Sequence, residues 1–293
     1  MRRITPLTSA ELFDVAASRR IEQTAAARLP AHTLMRRAGM AVAHLAAALA
    51  PNARCIWIAC GPGNNGGDGF EAAAQLRTRG FEVHASFVGD EGRLPADALG
   101  ALLRARLGGV PISAESPATF DLAIDALLGL GAARAPKGIM ARWLERMYRF
   151  GQPVLSVDLP SGLNADTGAA MFDFGHGGQR HCLSLLTLKP GLFTAHGRDA
   201  AGQVWFADLD CATGSENPTA LLNPPPDIET RPHATHKGSY GDVAVRGGAP
   251  GMAGPALLAA SAALHGGAGR VFVGLLDQSQ PALSSSQPEL MFR

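Results

Sequence analysis

The amino-acid sequence predicts an α/β fold in which helices cover both faces of a doubly wound, mostly parallel β-sheet. Apolar segments of strand length alternate with longer helical segments from residue 54 to residue 207, which is the rhythm of repeated βαβ units. Some of the strand segments, such as Val154–Val157, are β-branched and largely apolar, as buried parallel strands are. Two helical segments precede the first strand, whereas a plain dinucleotide-binding domain opens with a strand.

The first two predicted helices cover residues 9–28 and 33–49. Thr8 and Glu11 have the spacing of a capping box at the start of the first helix, and Pro30 separates it from the alanine-rich second helix. The strands predicted after these helices are 54–60, 81–88, 120–124, 154–157, 183–188 and 203–207. The helices predicted between the strands are 69–79, 95–107 and 138–150.

A proline-rich segment with little periodicity, from about Cys211 to Thr235, is predicted to separate two domains. The expected divisions are a first domain over 1–211, a linker over 212–235 and a second domain over 236–293. Strands at 242–246 and 270–275, with an alanine-rich helix between them, are predicted in the last segment. This segment is too short for an independent α/β domain, so we expect only the beginning of a second domain.

The composition argues against a nucleic-acid or membrane partner, because the net charge is only +1 and no basic patch is evident. The four cysteines lack the spacing of metal ligands or of a disulfide framework, and we expect them to be small buried residues. The N-terminus lacks the apolar segment of a signal peptide, and no apolar run reaches the roughly 18 residues of a membrane span. A cytoplasmic protein is therefore expected.

Residues 60–69, with the sequence Cys-Gly-Pro-Gly-Asn-Asn-Gly-Gly-Asp-Gly, follow a predicted strand and open a predicted helix. Glycine lets the backbone approach a phosphate here, and the helix N-terminus offers free N–H groups. The match to G-x-G-x-x-G is weak in a chain with 35 glycines, and a tight turn without a ligand is the alternative. Asp90 lies too far along the chain for the ribose-binding acid of dinucleotide folds and fits a polar loop.

Two carboxylates stand at the ends of two later strands. Asp125, in the segment Ile-Asp-Ala-Leu-Leu-Gly-Leu-Gly, is either a helix cap or a ligand group, and its surroundings in the sequence leave both open. Asp158, in Val-Asp-Leu-Pro-Ser-Gly, is followed by Pro160, which fixes the turn, and by Ser161, which presents a hydroxyl. A serine hydrolase is not indicated, because the chain has no G-x-S-x-G elbow at this point.

The three motifs follow three strands of one parallel sheet and should meet at the same edge, where open α/β sheets bind their ligands. A site at this edge would combine a phosphate-binding loop, two carboxylates, an amide, a hydroxyl and Arg134 from the loop after Asp125. The oxygen atoms of Asn65, Asp125 and Ser161 suit a hard cation better than zinc or copper.

These motifs together resemble the NAD(P)H-hydrate epimerase family, which is the YjeF N-terminal domain. Leu34–Gly39 and Thr187–Leu192 also fit, and the resemblance covers residues 9–210. It implies a Rossmann-like first domain. Residues 236–293 are similar to the start of the ADP-dependent NAD(P)H-hydrate dehydratase domain, a ribokinase-like fold, so the resemblance implies a parent protein with both activities. The ADP and Mg²⁺ site of the dehydratase is not expected within this chain.

The resemblance implies that the substrate is NADHX or NADPHX, the hydrates of NADH and NADPH. It implies substrate contacts at Asn64, Asn65, Gly66, Gly67, Asp68, Gly129, Leu130, Gly131, Ala132, Ala133, Arg134, Ala135 and Asp158. It further implies one K⁺ ion held by Asn65, Asp125 and Ser161, and a homo-oligomer, expected to be a dimer. Asp158 is the carboxylate not assigned to K⁺, and we expect it to be the acid–base group.

Two other functions remain open from the sequence. An NAD(P)-dependent oxidoreductase is one, although the missing ribose-binding acid and the two leading helices argue against it. A non-catalytic binding module is the other, because the resemblance extends to scaffolds of the same fold in RNA decapping. The presence of Asp125, Asp158 and Ser161 favours an enzyme.

Overall fold

The computed structural model describes residues 1–131, 134–149, 151–175, 177–226, 230–277 and 286–293. They form two compact units, residues 1–225 and residues 226–293. The helices of the first unit are α1 (Val15–Arg28), α2 (Thr33–Leu49), α3 (Asn64–Thr78), α4 (Ala96–Leu107), α5 (Ile139–Arg149) and α6 (Gly197–Ala201). Its strands are β1 (Arg2–Arg3), β2 (Ala10–Leu12), β3 (Ile56–Cys60), β4 (Val83–Phe87), β5 (Ile112–Ser113), β6 (Leu122–Ala126), β7 (Val154–Val157), β8 (Arg180–Leu185), β9 (Gln203–Ala207) and β10 (Ala220–Leu222).

The main sheet of the first unit has eight strands in the order β1-β9-β8-β7-β6-β3-β4-β5. The pairs from β5 to β9 are parallel, and only the short edge strand β1 is antiparallel to its neighbour. After the edge strand β1, the parallel part of this sheet begins at β3, continues to β5 on one side, and then returns to β6 on the other side of β3. The predicted doubly wound parallel sheet is confirmed, with its switch point between β3 and β6.

Each face of the sheet has its own hydrophobic core. In β3, Ile56 and Ile58 contribute to the core on one face, and Trp57 contributes to the core on the other face, as strand alternation requires. Helices α1 to α4 supply the first core, with α3 packing against both α2 and α4. Residues of α5, including Trp143, supply the second. The prediction of helices on both faces is therefore confirmed.

The start of the first predicted helix is wrong. Residues Ala10–Leu12 form strand β2, which pairs with Ala220–Leu222, and α1 begins only at Val15. The helix cap is Asp14, whose side chain accepts a hydrogen bond of 2.7 Å from the amide of Ala17. The hydroxyl of Thr8 instead accepts from the amide of Thr5, so the apparent capping box is not used. The second predicted helix, 33–49, matches α2 to the residue.

Two further elements differ from their predicted bounds by three residues or more. Helix α3 begins at Asn64, five residues before the predicted start, so the first motif contains only a short turn before its helix. Tertiary packing stabilises this glycine-rich first turn in spite of its low helix propensity. Strand β8 covers Arg180–Leu185 rather than 183–188, because the chain turns at Leu186, which has a φ of 63°.

In the structure, the first part of the expected linker, 212–235, belongs to the first unit. Strand β10 lies in this segment and forms a two-stranded antiparallel sheet with β2. The two units divide between Pro225 and Pro226. The first fourteen residues of the expected linker, 212–225, thus belong to the first unit.

The second unit contains a three-stranded parallel sheet and one helix. Its elements are β11 (Asp242–Gly247), α7 (Ala253–His265), β12 (Arg270–Leu275) and β13 (Met291–Phe292). Helix α7 packs against β11 and β12, and Ala260 and Val273 are fully buried between them. The strand predicted at 270–275 is confirmed, and the ribokinase-like assignment stays a prediction. In the described parts of both units, no helix combines the length and apolarity that a membrane span requires.

Candidate active site

A cavity of about 680 Å³ lies in the first unit at the carboxyl ends of the central strands. This volume is in the range of small-molecule sites. The loops after β3, β6 and β8 line it, together with Asp158 after β7 and residues of α1, α2 and α4. The three motifs found in the sequence follow β3, β6 and β7, which are neighbours in the sheet. The expectation that they share one edge is confirmed.

Asp125 is fully buried at the end of β6, and Ser161 is its main partner. The hydroxyl of Ser161 donates to one carboxylate oxygen at 2.6 Å, and its amide donates to the other at 2.8 Å. The same hydroxyl accepts from the amide of Leu128 at 2.8 Å. Asp125 therefore fixes the loop after β6 and the loop after β7 to each other.

Burial raises the pKa of Asp125 to about 6, although the hydrogen bonds from Ser161 and Leu127 act in the opposite direction. All of these donors are neutral. The site thus contains a buried carboxylate without a cationic partner among the described residues, which is costly when the group is ionised.

Asp158 is held very differently. It lies directly after β7 with a φ of 66°, a left-handed conformation that is uncommon outside glycine. Its carboxylate forms an ion pair with the ammonium group of Lys189 and accepts from the amide of Leu185 at 3.2 Å. Lys189 is 1% exposed and also donates to the carbonyl oxygen of Leu185 at 2.9 Å. This buried ion pair borders the cavity, because Asp158 lines it.

Three residues that line the cavity adopt positive φ angles without being glycine, namely Asp158, Leu186 and Leu209, with φ of 66°, 63° and 55°. Such conformations cost about 1–3 kcal/mol each and persist only where the surrounding structure requires them. Leu186 is followed by Thr187, whose hydroxyl lies 2.8 Å from that of Ser18 on α1. The loop after β8 is thus held to the N-terminal helix at the cavity wall.

The first motif divides into residues that face the cavity and residues that pack behind it. Asn64, Asn65 and Asp68 line the cavity, and α3 begins without a side-chain cap, so its first N–H groups can bind an anion. Gly66 and Gly67 do not line it. A Cβ on Gly66 would lie 1.9 Å from the carbonyl oxygen of Gly61, and a Cβ on Gly67 would lie 2.6 Å from the methyl carbon of Met35. These two glycines permit close packing of α3.

The predicted substrate loop after β6 is only partly at the cavity. Gly129, Leu130 and Gly131 line it, whereas Arg134 and Ala135 are exposed and do not. Ala132 and Ala133 lie outside the described residues. The role of the whole loop in binding stays a prediction.

The sequence profile described as YjeF-related protein N-terminus matches residues 31–191. This match covers more than half of the chain. The chain belongs to the YjeF N-terminal family. The matched region contains β3, β6 and β7 and the motif residues that meet at the cavity.

Relatives of this YjeF N-terminal chain carry the name bifunctional NAD(P)H-hydrate repair enzyme. The protein of Escherichia coli K12 is 34% identical over 275 residues, covering 90% of this chain and 52% of the relative. The protein of Leishmania braziliensis is 32% identical over 276 residues, covering 88% of this chain and 49% of the relative. The chain thus spans about half of each relative's length.

The crystal structure of the yeast protein ynu0, YNL200c, has a similar fold, with a TM-score of 0.58 and 20% sequence identity. The superposition covers 67% of this chain and 87% of the yeast chain. This similarity extends the fold assignment of the YjeF N-terminal unit to a solved structure.

Sequence reasoning missed Lys189 and the contribution of α1 to this YjeF N-terminal site. Lys189 lies in the noted segment Thr187–Leu192, and the chain contains only three lysines, so a lysine in an apolar segment was a usable signal. Arg19 and Glu22 of α1 also line the cavity. No sequence signal identified them, because their position depends on how α1 packs beside the loops of the sheet.

Two of the carboxylates that line the cavity, Asp68 and Glu22, have raised pKa values. Burial raises the pKa of Asp68 well above its usual range, and the charges of Asp158 and Glu22 raise it further. The pKa of Glu22 is also raised, first by burial and then by Asp158, while Lys189 and Arg19 lower it. The site therefore contains two acidic groups, Asp68 and Glu22, that hold a proton more tightly than exposed carboxyl groups do.

Proposed function

We propose that this chain interconverts the R and S forms of the hydrates of NADH and NADPH. The observation that carries the proposal is the buried ion pair of Asp158 and Lys189, which borders a cavity formed by the three motifs of the YjeF N-terminal family. The names of the relatives, which are NAD(P)H-hydrate repair enzymes, support this substrate class.

Epimerisation inverts the carbon that carries the hydroxyl group, beside the ring nitrogen. In one route the nitrogen lone pair assists loss of the hydroxyl group as water, and in the other the hydroxyl oxygen assists cleavage of the bond from carbon to nitrogen, which opens the ring. In both routes the broken bond then forms again on the other face. The protein has to transfer a proton to or from the hydroxyl oxygen or the ring nitrogen bonded to this carbon, and it has to hold the ring in place. We assign proton transfer to Asp158, because its carboxylate reaches the cavity and Lys189 and the Leu185 amide hold it in one position.

The start of α3 provides the other half of the site. Its uncapped N–H groups and the side chain of Asn64 suit the pyrophosphate of the ligand, since a helix N-terminus attracts anions. Arg19, at the rim of the cavity, adds a positive charge for the same part of the ligand. The cavity volume is sufficient to enclose the reacting end of a dinucleotide.

A K⁺ ion fits the residues proposed to hold it. The buried amide nitrogen of Asn65 lacks a hydrogen-bond partner among the described residues, and a reversed amide would direct its oxygen to the same position. Asp125 is a buried carboxylate with neutral donors only, and Ser161 supplies further oxygen atoms beside it. When bound, K⁺ would offset the buried negative charge and support the loops that hold the ligand.

The remaining predictions from the sequence are a homodimer, a cytoplasmic setting and a dehydratase fragment in the second unit. They stay predictions beside the proposed epimerase. The ADP and Mg²⁺ of a dehydratase are not part of the proposed reaction.

The proposal is tested by incubating the chain with the pure R epimer of NADHX in potassium buffer and separating the products by chromatography. We expect the S epimer to form until both epimers reach a constant ratio. A sample without protein and a sample with Asp158→Asn give the background. An R epimer that disappears no faster than in the sample without protein would contradict the proposal, as would conversion by hydride transfer to a pyridine product.

A further inference from the structure

Asp68 is a second carboxylate that lines the cavity, and it lies on α3, whereas Asp158 follows β7. It lies in the first turns of α3, is half-buried, and lines the cavity. Within the described parts of the chain, no hydrogen bond or ion pair holds its side chain. The tight packing of Gly66 and Gly67 fixes the backbone from which it projects. Asp68 is thus a positioned acid that is free to contact a ligand.

The charges around Asp68 favour its protonated form. The groups that raise its pKa, after burial itself, are Asp158, Glu22, Glu71 and Asp97. Glu71 is paired with Arg104 at 2.7 Å, and a ring nitrogen of His32 lies 2.6 Å from Asp97, so these two groups contact those carboxylates and not Asp68. Asp158 differs because the ammonium group of Lys189 contacts it directly.

Glu22 is the other carboxylate that could carry this proton, but its surroundings differ. Arg19, one turn before it on α1, and Lys189 both lower its pKa against the effect of burial. Asp68 has no cation among the groups that shift its pKa. Of the two, Asp68 is therefore the better proton carrier.

The chemistry of inversion requires both a proton donor and a proton acceptor. In ring opening, a base removes the hydroxyl proton while the bond from carbon to nitrogen breaks, and an acid protonates the departing nitrogen. The aldehyde then rotates, and the ring closes with both transfers reversed. In dehydration, an acid protonates the hydroxyl, which leaves as water, and water returns to the other face and gives a proton to a base. Both routes conserve atoms and electrons and need no oxidant.

We propose that Asp68 is the proton donor of the site and that Asp158 is its proton acceptor, the two lining one cavity from α3 and from the end of β7. This inference rests on the proposed epimerase function, and it assigns to Asp68 a catalytic role in addition to ligand contact. The two carboxylates differ in their contacts, because Lys189 pairs with Asp158 and no cation pairs with Asp68 among the described residues. Two carboxyl groups in different environments are a usual means by which a protein provides an acid and a base at one site.

The first test measures epimerisation by wild type, Asp68→Asn and Glu22→Gln across a range of pH. We expect Asp68→Asn to lower kcat roughly 100-fold or more, to leave KM within about threefold, and to lose the decline in rate at high pH. Asp199→Asn, at an exposed site on α6 outside the cavity, is expected to behave as wild type. If Asp68→Asn keeps the kcat of wild type, or if Glu22→Gln alone removes the decline at high pH, the inference is overturned.

The second test does not depend on turnover. Carboxyl carbons of aspartate are labelled with ¹³C, and the resonance of Asp68 is identified by its absence in Asp68→Asn. We expect this resonance to report a protonated carboxyl at neutral pH in the wild-type chain. An ionised Asp68 at neutral pH would overturn the inference whether or not the chain epimerises NADHX. Absence of epimerisation by wild type would overturn the proposed function and the role of Asp68 with it, whereas an ionised Asp68 in a chain that does epimerise would overturn this inference alone.

Discussion

The two walls of the cavity differ in how their charged side chains are held. On the wall formed by the ends of the strands, Asp158 and Lys189 form a buried ion pair, and Asp125 is held by Ser161. On the wall formed by α1, Arg19 is exposed and Glu22 is half-buried, and their side chains have no hydrogen bond or ion pair within the described residues. We call these the sheet wall and the helical wall. The difference indicates that the sheet wall holds its reactive side chains in fixed positions, whereas the charged side chains of the helical wall affect the site mainly through their electrostatic field.

The largest effect is expected at the sheet wall from Asp158→Asn. Asparagine keeps the shape of the side chain but loses the ability to exchange a proton, so we expect epimerisation to fall roughly 10²- to 10⁴-fold with little change in ligand affinity. Lys189 retains the hydroxyl of Ser184 and the carbonyl of Leu185 as partners, which limits the structural change. The rate is measured by chromatography of the epimers, and affinity by calorimetry.

Asp199→Asn is the matched control for this variant, because it makes the same chemical change at an exposed position on α6. It should keep the wild-type rate. If Asp158→Asn also keeps that rate, proton transfer does not depend on Asp158. The claim that the sheet wall supplies the reacting group would then be wrong.

The second largest effect is expected from Lys189→Met. Removing the ammonium group leaves the carboxylate of Asp158 buried without its cation, and breaking a buried ion pair in this way costs about 3–5 kcal/mol. We therefore expect a loss of this size in the free energy of unfolding, measured by urea denaturation. Lys137→Met removes the same charge from an exposed site and should change the free energy by less than about 0.5 kcal/mol. Equal losses in the two variants would show that the pair with Asp158 does not stabilise the fold.

The strands were predictable to the extent that their own residues determine them. The segments 154–157, 203–207 and 270–275 were predicted with the bounds that the structure has. Strand β2 was not, because its partner β10 lies at the other end of the first unit and no local pattern reveals that pairing. The early start of α3 depends in the same way on packing against α2 and α4.

The residues of the candidate site also fall into those that the local sequence predicts and those that depend on tertiary packing. Asp125, Asp158 and Ser161 were found because residues at the carboxyl ends of parallel strands meet at one edge. Lys189 was missed because its contact with Asp158 depends on the turn after β8, and the turn depends on the positive φ of Leu186. Gly66 and Gly67 were assigned to the ligand by resemblance; the structure shows close packing of Gly66 against Gly61 and of Gly67 against Met35, and their contact with the ligand stays a prediction. Sequence thus indicates the edge of the sheet, and packing determines which side chains reach the cavity.

A smaller effect is expected from Ser161→Ala. The variant removes the hydroxyl that donates to Asp125 at 2.6 Å, and hydrogen bonds to charged groups contribute about 1.5–3 kcal/mol. We expect a loss of this size in urea denaturation. Ser156→Ala is the matched control, since this buried hydroxyl lies 3.1 Å from the neutral phenol of Tyr148 and should contribute about 1 kcal/mol. A smaller loss for Ser161→Ala than for Ser156→Ala would contradict the assigned role of Ser161.

The smallest effect is expected at the helical wall, from Glu22→Gln. Burial and the charge of Asp158 raise the pKa of Glu22, so the folded state binds its proton more tightly than the unfolded state does. Below the usual pKa of glutamate both states are protonated, and the variant should match wild type. As the pH rises through the raised pKa, wild type loses stability and the variant does not, so Glu22→Gln should become more stable by less than about 1 kcal/mol.

The measurement is the difference in the free energy of unfolding between Glu22→Gln and wild type at about pH 4 and about pH 7. Glu145→Gln removes the same charge from an exposed position on α5, outside the cavity, and controls for net charge. A difference that grows with pH only for Glu22→Gln supports an electrostatic role for the helical wall. If pH changes the free energy of unfolding equally in the two variants, the charge of Asp158 has no measurable effect on the protonation of Glu22.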